Sequence, residues 1–140
     1  VEPILRSFEV SDYDAAFALW TATPGMGLGG GDSREGITAL LARNPGLSIA
    51  AIDRGILVGT ALVAHDGRRG FIYHLAVAGE FRDRGLGRAM VERALERFRE
   101  AGLTRCHIVV YSHNEQGRAF WRHMGFRERP DILTCSHDLP

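Results

Sequence analysis

Phe81-Arg82-Asp83-Arg84-Gly85-Leu86-Gly87-Arg88 stands where an apolar strand gives way to a long amphipathic helix, and its reading decides the fold. The residues before it, Phe71-Ile72-Tyr73-His74-Leu75-Ala76-Val77-Ala78, are β-branched, aromatic and apolar, as a buried strand requires. After it, Leu86, Met90, Val91, Ala94, Leu95, Phe98 and Ala101 recur at helical spacing with Arg and Glu between them, and Gly102 supplies a left-handed stop. Two glycines at the helix start let the backbone curl so that several free N–H groups point one way, where the macrodipole adds positive potential. Arg82, Arg84 and Arg88 reinforce that sign, so the predicted guest is a phosphate or pyrophosphate. A dinucleotide fingerprint would need three glycines early in a βαβ unit with an acid after the second strand, and a Walker loop would need Gly-Lys-Ser/Thr. The chain has neither.

A second segment adds to the first. His107-Ile108-Val109-Val110-Tyr111 reads as a strand, and Asn114, Phe120-Trp121 and Gly125-Phe126 follow it. Together with Arg82-x-x-Gly85-x-Gly87 after Leu75-Ala76-Val77, this order resembles the GCN5-related N-acetyltransferase family, most closely from about Ile56 onward. His65-Asp66-Gly67-Arg68-Arg69-Gly70 with Tyr73-His74-Leu75-Ala76-Val77 is similar to the small bacterial YpeA-like branch of that family. The resemblance implies acetyl-CoA as cosubstrate and no metal. Its pyrophosphate would lie on Arg82, Asp83, Arg84, Gly85, Leu86, Gly87 and Arg88. Backbone groups of Leu75, Ala76 and Val77 would hold the rest and polarise the thioester carbonyl. Asn114 and Trp121 would be further cofactor contacts, Trp121 as a channel wall or simply as core.

The chemistry that the resemblance implies is direct attack of an amine on the acetyl thioester. The acceptor ammonium must lose a proton, and the departing thiolate benefits from gaining one. Where many family members carry a Tyr acid this chain has Trp121, whose indole cannot deliver a proton near neutral pH. Where a Glu base is frequent stands Tyr73, a poor base with an ordinary pKa of about 10. The candidate catalytic residues are Tyr73, His74 and Tyr111, with Ser112 and His113 beside the last. Strand alternation sets Tyr73 and His74 on opposite faces, and a hydrogen-bonded core histidine explains His74 as well as catalysis does. The expected function is an N-acetyltransferase acting on a primary amine of a small molecule or protein. The alternative is a non-catalytic acyl-CoA-binding module of the same fold.

Composition excludes other classes. At 140 residues the chain suits one domain, 1–140, with a single core. Seventeen basic side chains balance 17 acidic ones, so no global field attracts nucleic acid or a membrane. The arginines between Arg88 and Arg105 alternate with Glu92, Glu96 and Glu100, the pattern of a solvated helix face. No apolar run reaches membrane-spanning length and no leader is read, so the cytoplasm is the expected compartment, with the protein a monomer or homodimer. Val1 points to a missing or trimmed start. Cys106 and Cys135 read as buried free thiols, and the histidines lack ligand spacing.

The first half supplies a scaffold. Ile4 to Phe8 reads as a strand, Ser11-x-x-Asp14 as a capping box for a helix through Trp20, and Asp32-x-x-Glu35 as the start of another through about Arg43, ended by Asn44-Pro45-Gly46. Leu47 to Ile52 and Ile56 to Ala64 form a hairpin about Asp53-Arg54-Gly55. Trp20 reads as core. The glycine-rich run from Pro24 to Gly31 is either a lid over the acceptor or a flexible connection. The expected fold class is α/β: strand, two helices, three strands, helix, strand, helix and final strands, making a central, mostly antiparallel twisted sheet with flanking helices.

Overall fold

The computed structural model describes residues 3–140, so the start at Val1 lies outside the described residues. Along the chain run β1 (Ile4–Ser7), α1 (Tyr13–Ala22), α2 (Arg34–Arg43), β2 (Ile49–Asp53), β3 (Ile56–His65), β4 (Gly70–Val77), α3 (Leu86–Glu100), β5 (Cys106–His107) and α4 (Glu115–His123). They fall into two compact units divided between Val109 and Val110. The first unit carries the whole sheet, whose spatial order is β1-β2-β3-β4-β5. The first four strands are antiparallel neighbours, and β5 joins β4 in parallel after the crossover through α3. The expected fold class is the one observed, except that no strand follows α4 among the described residues. Helix α3 is the longest of the helices, but no helix among the described residues is long and apolar enough to cross a membrane.

Local chemistry explains each element. Arg54 and Gly55 both take left-handed φ values, 50° and 80°, which make the tight β2–β3 hairpin. Helix α3 buries Leu86, Met90, Val91, Ala94 and Phe98 along one stripe, each worth about 1.5–3 kcal/mol for the larger side chains. It ends in a Schellman motif, with the Gly102 and Leu103 N–H groups donating to the Arg99 and Phe98 carbonyls at 2.9 and 3.0 Å. Met90 approaches the sheet at Gly59 beside Ala51. On the opposite face Trp20 of α1 and Ile37 of α2 pack with Phe8, Ala50, Leu62 and Ala76. Trp20 is fully buried, as expected.

The helix starts differ from the sequence reading. The Ser11-x-x-Asp14 box does not form, because α1 begins only at Tyr13, after a 3-10 turn over Val10–Asp12. Asp12 closes that turn: its carboxylate accepts from the Glu9 N–H and takes two 2.8 Å hydrogen bonds from the Arg6 guanidinium. Helix α2 is capped by Ser33, whose hydroxyl accepts from the Gly36 N–H at 3.1 Å, rather than by Asp32. Of the strand expected from His107 to Tyr111, only His107 pairs with β4, together with Cys106 before it. Cys106 is half-buried, whereas Cys135, expected to be buried, is exposed because the chain beyond α4 forms no sheet to cover it.

Candidate active site

Strand β4 departs from regular pairing at its middle. Thr60 of β3 faces Ala76, but Leu62 faces Tyr73, so His74 and Leu75 together oppose Ala61. This is a β-bulge. His74 takes φ 46°, a left-handed conformation that costs a non-glycine residue about 1–3 kcal/mol and persists only where its surroundings impose it. The imposing residue is Thr60, which is fully buried. Its hydroxyl donates to the His74 carbonyl at 2.8 Å and accepts from the Trp20 indole N–H at 2.9 Å. The bulge also overturns the expected alternation. Tyr73 packs against the Trp20 cluster, and the His74 ring lies 4.7 Å from the Trp20 ring, so both side chains face the same side of the sheet.

His74 has a partner that sequence reading assigned to a helix cap. Its Nε2 lies 2.7 Å from Asp32 Oδ1, the two side chains being only 13% and 18% exposed. Asp32 is itself held by the glycine-rich loop: its Oδ2 accepts from the Gly29 N–H at 2.8 Å, and its carbonyl accepts from the Tyr13 hydroxyl at 2.6 Å. A Cβ at Gly36 would collide with the Gly31 carbonyl, so the loop's end is seated on the first turn of α2. Met26 packs on the Trp20 cluster, while Leu28, Tyr13, Phe17 and Asp32 line an open depression of about 360 Å³. Burial, and to a lesser degree Cys106, pushes the Tyr73 phenol above its ordinary pKa, and burial pushes the Cys106 thiol up to about 12. The Tyr73 phenol therefore keeps its proton and is no base.

The turn after β4 presents backbone donors that meet no acceptor among the described residues. Asp83 and Gly85 take φ 61° and 82°, and Gly85 is the N-cap of α3 with open space where a Cβ would stand. No side chain caps the helix, its first turn holds no acid, and the N–H groups of Leu86, Gly87 and Arg88 meet no acceptor among the described residues. Arg82, Asp83, Arg84, Gly85 and Arg88 are exposed, but the Leu86 side chain is buried, so at that position only the backbone is available. Arg82 donates to the Val77 carbonyl at 3.0 Å, and the Arg84 guanidinium stacks over Phe81 at 5.3 Å. Upstream, Ala76 is buried, with Leu75 and Val77 half-buried. Because β5 pairs only with Gly70 and Phe71, that edge of β4 carries no strand from Ile72 to Val77 among the described residues.

The remaining candidates belong to the second unit. Asn114 caps α4, its Oδ1 accepting from the Gly117 N–H at 3.0 Å. Trp121 is half-buried and meets Phe126 edge-on at 4.9 Å. Tyr111 is exposed and stacks on His113 at 5.3 Å. Arg118 and Arg122 clasp Glu128, and the Arg118 hydrogen bonds above all hold its carboxyl at about 2. No group of three His, Cys, Asp or Glu side chains that could hold a metal gathers among the described residues. Sequence reasoning missed Thr60 and misassigned Asp32. The signal for Thr60 was present as a lone hydroxyl within the apolar run Leu57 to Ala64.

Comparison with known proteins bears on these features. The sequence model of the acetyltransferase (GNAT) family matches residues 13–126, across both units. An acetyltransferase of Pectobacterium atrosepticum is 29% identical over 135 residues, which cover 96% of this chain and 94% of that protein. An acetyltransferase of Photorhabdus laumondii is 30% identical over 115 residues, covering 79% and 77%. Among solved structures, Ard1 from Thermoplasma volcanium superposes with a TM-score of 0.79 at 20% identity, over 96% of this chain and 86% of that one. The PaiA N-acetyltransferase of Thermoplasma acidophilum, solved with coenzyme A, gives 0.77 at 16% identity over 91% of each chain.

Proposed function

From the premise that this chain belongs to the acetyltransferase (GNAT) family and is an acetyl-CoA-dependent acetyltransferase, we propose that its acceptor is a primary amine of a small molecule or protein, attacked directly in a ternary complex. The observation that carries the cofactor assignment is the uncapped start of α3 behind Gly85, with its three N–H groups free of any acceptor among the described residues. The PaiA structure with coenzyme A supports it. Acetyl-CoA bound there supplies an activated acyl thioester. Leu86, Gly87 and Arg88 present backbone N–H groups to the pyrophosphate, flanked by the cationic Arg82, Arg84 and Arg88, while Asp83 and Gly85 shape the turn. The unpaired edge at Leu75, Ala76 and Val77 offers hydrogen bonds to the pantetheine arm and the acyl oxygen. Asn114 and Trp121 are proposed as further contacts on the family resemblance.

The chain's own groups divide the proton work. His74 takes the ammonium proton, and Tyr73, kept protonated by burial, donates toward the sulfur position, with Tyr111 as the alternative donor. His65 to Gly70 with Tyr73 to Val77 supports placement in the YpeA-like branch, and we regard both units as one domain working in the cytoplasm as a monomer or homodimer. The test is direct. Acetyl-CoA should raise the melting temperature, and Gly85→Glu, which sets a carboxylate at the pyrophosphate, should abolish the shift while the protein stays folded. Thioester consumption is then followed against a panel of amines. Normal CoA binding by Gly85→Glu would remove the turn from the site. Binding without consumption of any amine would mean that the acceptor is not one.

A further inference from the structure

We propose that Asp32 is the positioning residue of the catalytic base, fixing the His74 ring so that Nδ1 faces the acceptor as a lone-pair nitrogen; this rests on His74 being the base. An ionised carboxylate only accepts hydrogen bonds, so at 2.7 Å from Asp32 Oδ1 the His74 Nε2 must carry the hydrogen. That leaves Nδ1 as the basic atom. In the transfer the amine N–H bond breaks, an Nδ1–H bond forms, and the new imidazolium charge sits against the Asp32 carboxylate, which does not itself take the proton. The proton leaves to solvent after turnover.

The setting suits that work. The Trp20 ring covers one side of the imidazole, the bulge fixes its backbone, and Tyr13 holds the Asp32 carbonyl. Arg34, stacked over Tyr13 at 5.0 Å, is paired with Asp14 at 2.8 Å. The second Asp32 oxygen holds the Gly29 N–H, so the glycine-rich loop must be seated for the carboxylate to aim at His74. The pair joins positions 42 residues apart, and a loop clamp alone would serve as well with an amide.

Asp32→Asn keeps the shape and one of the two acceptor oxygens but removes the charge. With acetyl-CoA and an amine accepted in the panel, kcat should fall about 10²–10⁴-fold, as for loss of a general base, with acetyl-CoA affinity unchanged. His74→Ala should fall at least as far, and Asp32→Glu should recover part of the rate. If His74→Ala retains full kcat, the base assignment itself fails and the proposal with it. If His74→Ala is crippled but Asp32→Asn stays within about 3-fold of wild type, the positioning role is overturned and the base stands. Nitrogen NMR of the labelled wild-type imidazole gives a readout independent of turnover and of the variant's folding. On the neutral ring, at a pH above its titration, hydrogen on Nε2 upholds the proposal, and hydrogen on Nδ1 overturns it.

Discussion

Replacing Thr60 by valine exchanges one buried hydroxyl for a methyl of nearly the same volume, and the structure says what is lost. The hydroxyl is the acceptor for the Trp20 indole and the donor to the His74 carbonyl, so its removal strands two polar groups at once. Each buried group left without a partner costs about 1–3 kcal/mol; the indole lies fully buried and the carbonyl less so, which puts the sum at about 2–4 kcal/mol. With an unfolding entropy on the order of 0.3 kcal/mol/K for a chain of 140 residues, the melting temperature should fall by about 7–14 °C. Thr60→Ser is the control, because it keeps both hydrogen bonds and loses one methyl, worth about 1 kcal/mol. Urea denaturation of the three proteins measures the difference, with equal m-values confirming that the same surface is exposed. The valine variant should also lose turnover more than the serine variant, since the carbonyl it frees belongs to His74, the residue proposed as the base. Equal destabilisation by valine and serine would refute the role given to the hydroxyl in imposing the bulge.

Asp12 is held below the usual carboxylate range, chiefly by the Arg6 hydrogen bonds against the opposing effect of burial. A depressed folded-state value contributes stability that is complete above the unfolded pKa of about 3.9 and is lost as pH falls through the folded value, so wild type and Asp12→Asn should differ at pH 7, begin to draw together below about pH 4 and converge only below the folded value. A stability difference independent of pH would show that the pair contributes nothing through its charge. Tyr73→Phe should lower kcat at unchanged acetyl-CoA affinity, whereas Tyr111→Phe, altering an exposed residue, should do so less. Full activity in both variants would leave solvent to protonate the sulfur.

What the sequence made legible was local. The β4–α3 turn, the Gly102 stop and the Arg54-Gly55 hairpin each depend on a few consecutive residues whose backbone preferences are strong. The bulge was not legible, because it is a mismatch between two strands: nothing within Tyr73-His74-Leu75 shows that Ala61 alone will oppose two of them. For the same reason Asp32 was taken for a cap. Its sequence neighbourhood fits that role, and the competing partner stands 42 positions away. The Ser11-x-x-Asp14 pattern failed in the same way, because Asp12 closes a 3-10 turn ahead of α1 with help from Arg6. The strand expected through Tyr111 failed at its end because β-branched composition permits pairing but does not supply a partner.

The coincidence of spatial strand order with chain order has a kinetic consequence. During synthesis each new strand can add at a free edge, and no finished pair has to reopen to admit a latecomer. The β2–β3–β4 meander, joined by tight connections, closes its loops at little entropic cost and is the natural nucleus. The β4–β5 pair waits for the whole α3 crossover and then gains only two residues of ladder. Native-state hydrogen exchange should therefore find the β4–β5 pair at Gly70 and Phe71 among the first parts of the sheet to open, while the β3–β4 ladder with the His74 bulge is anchored in the early, resistant part.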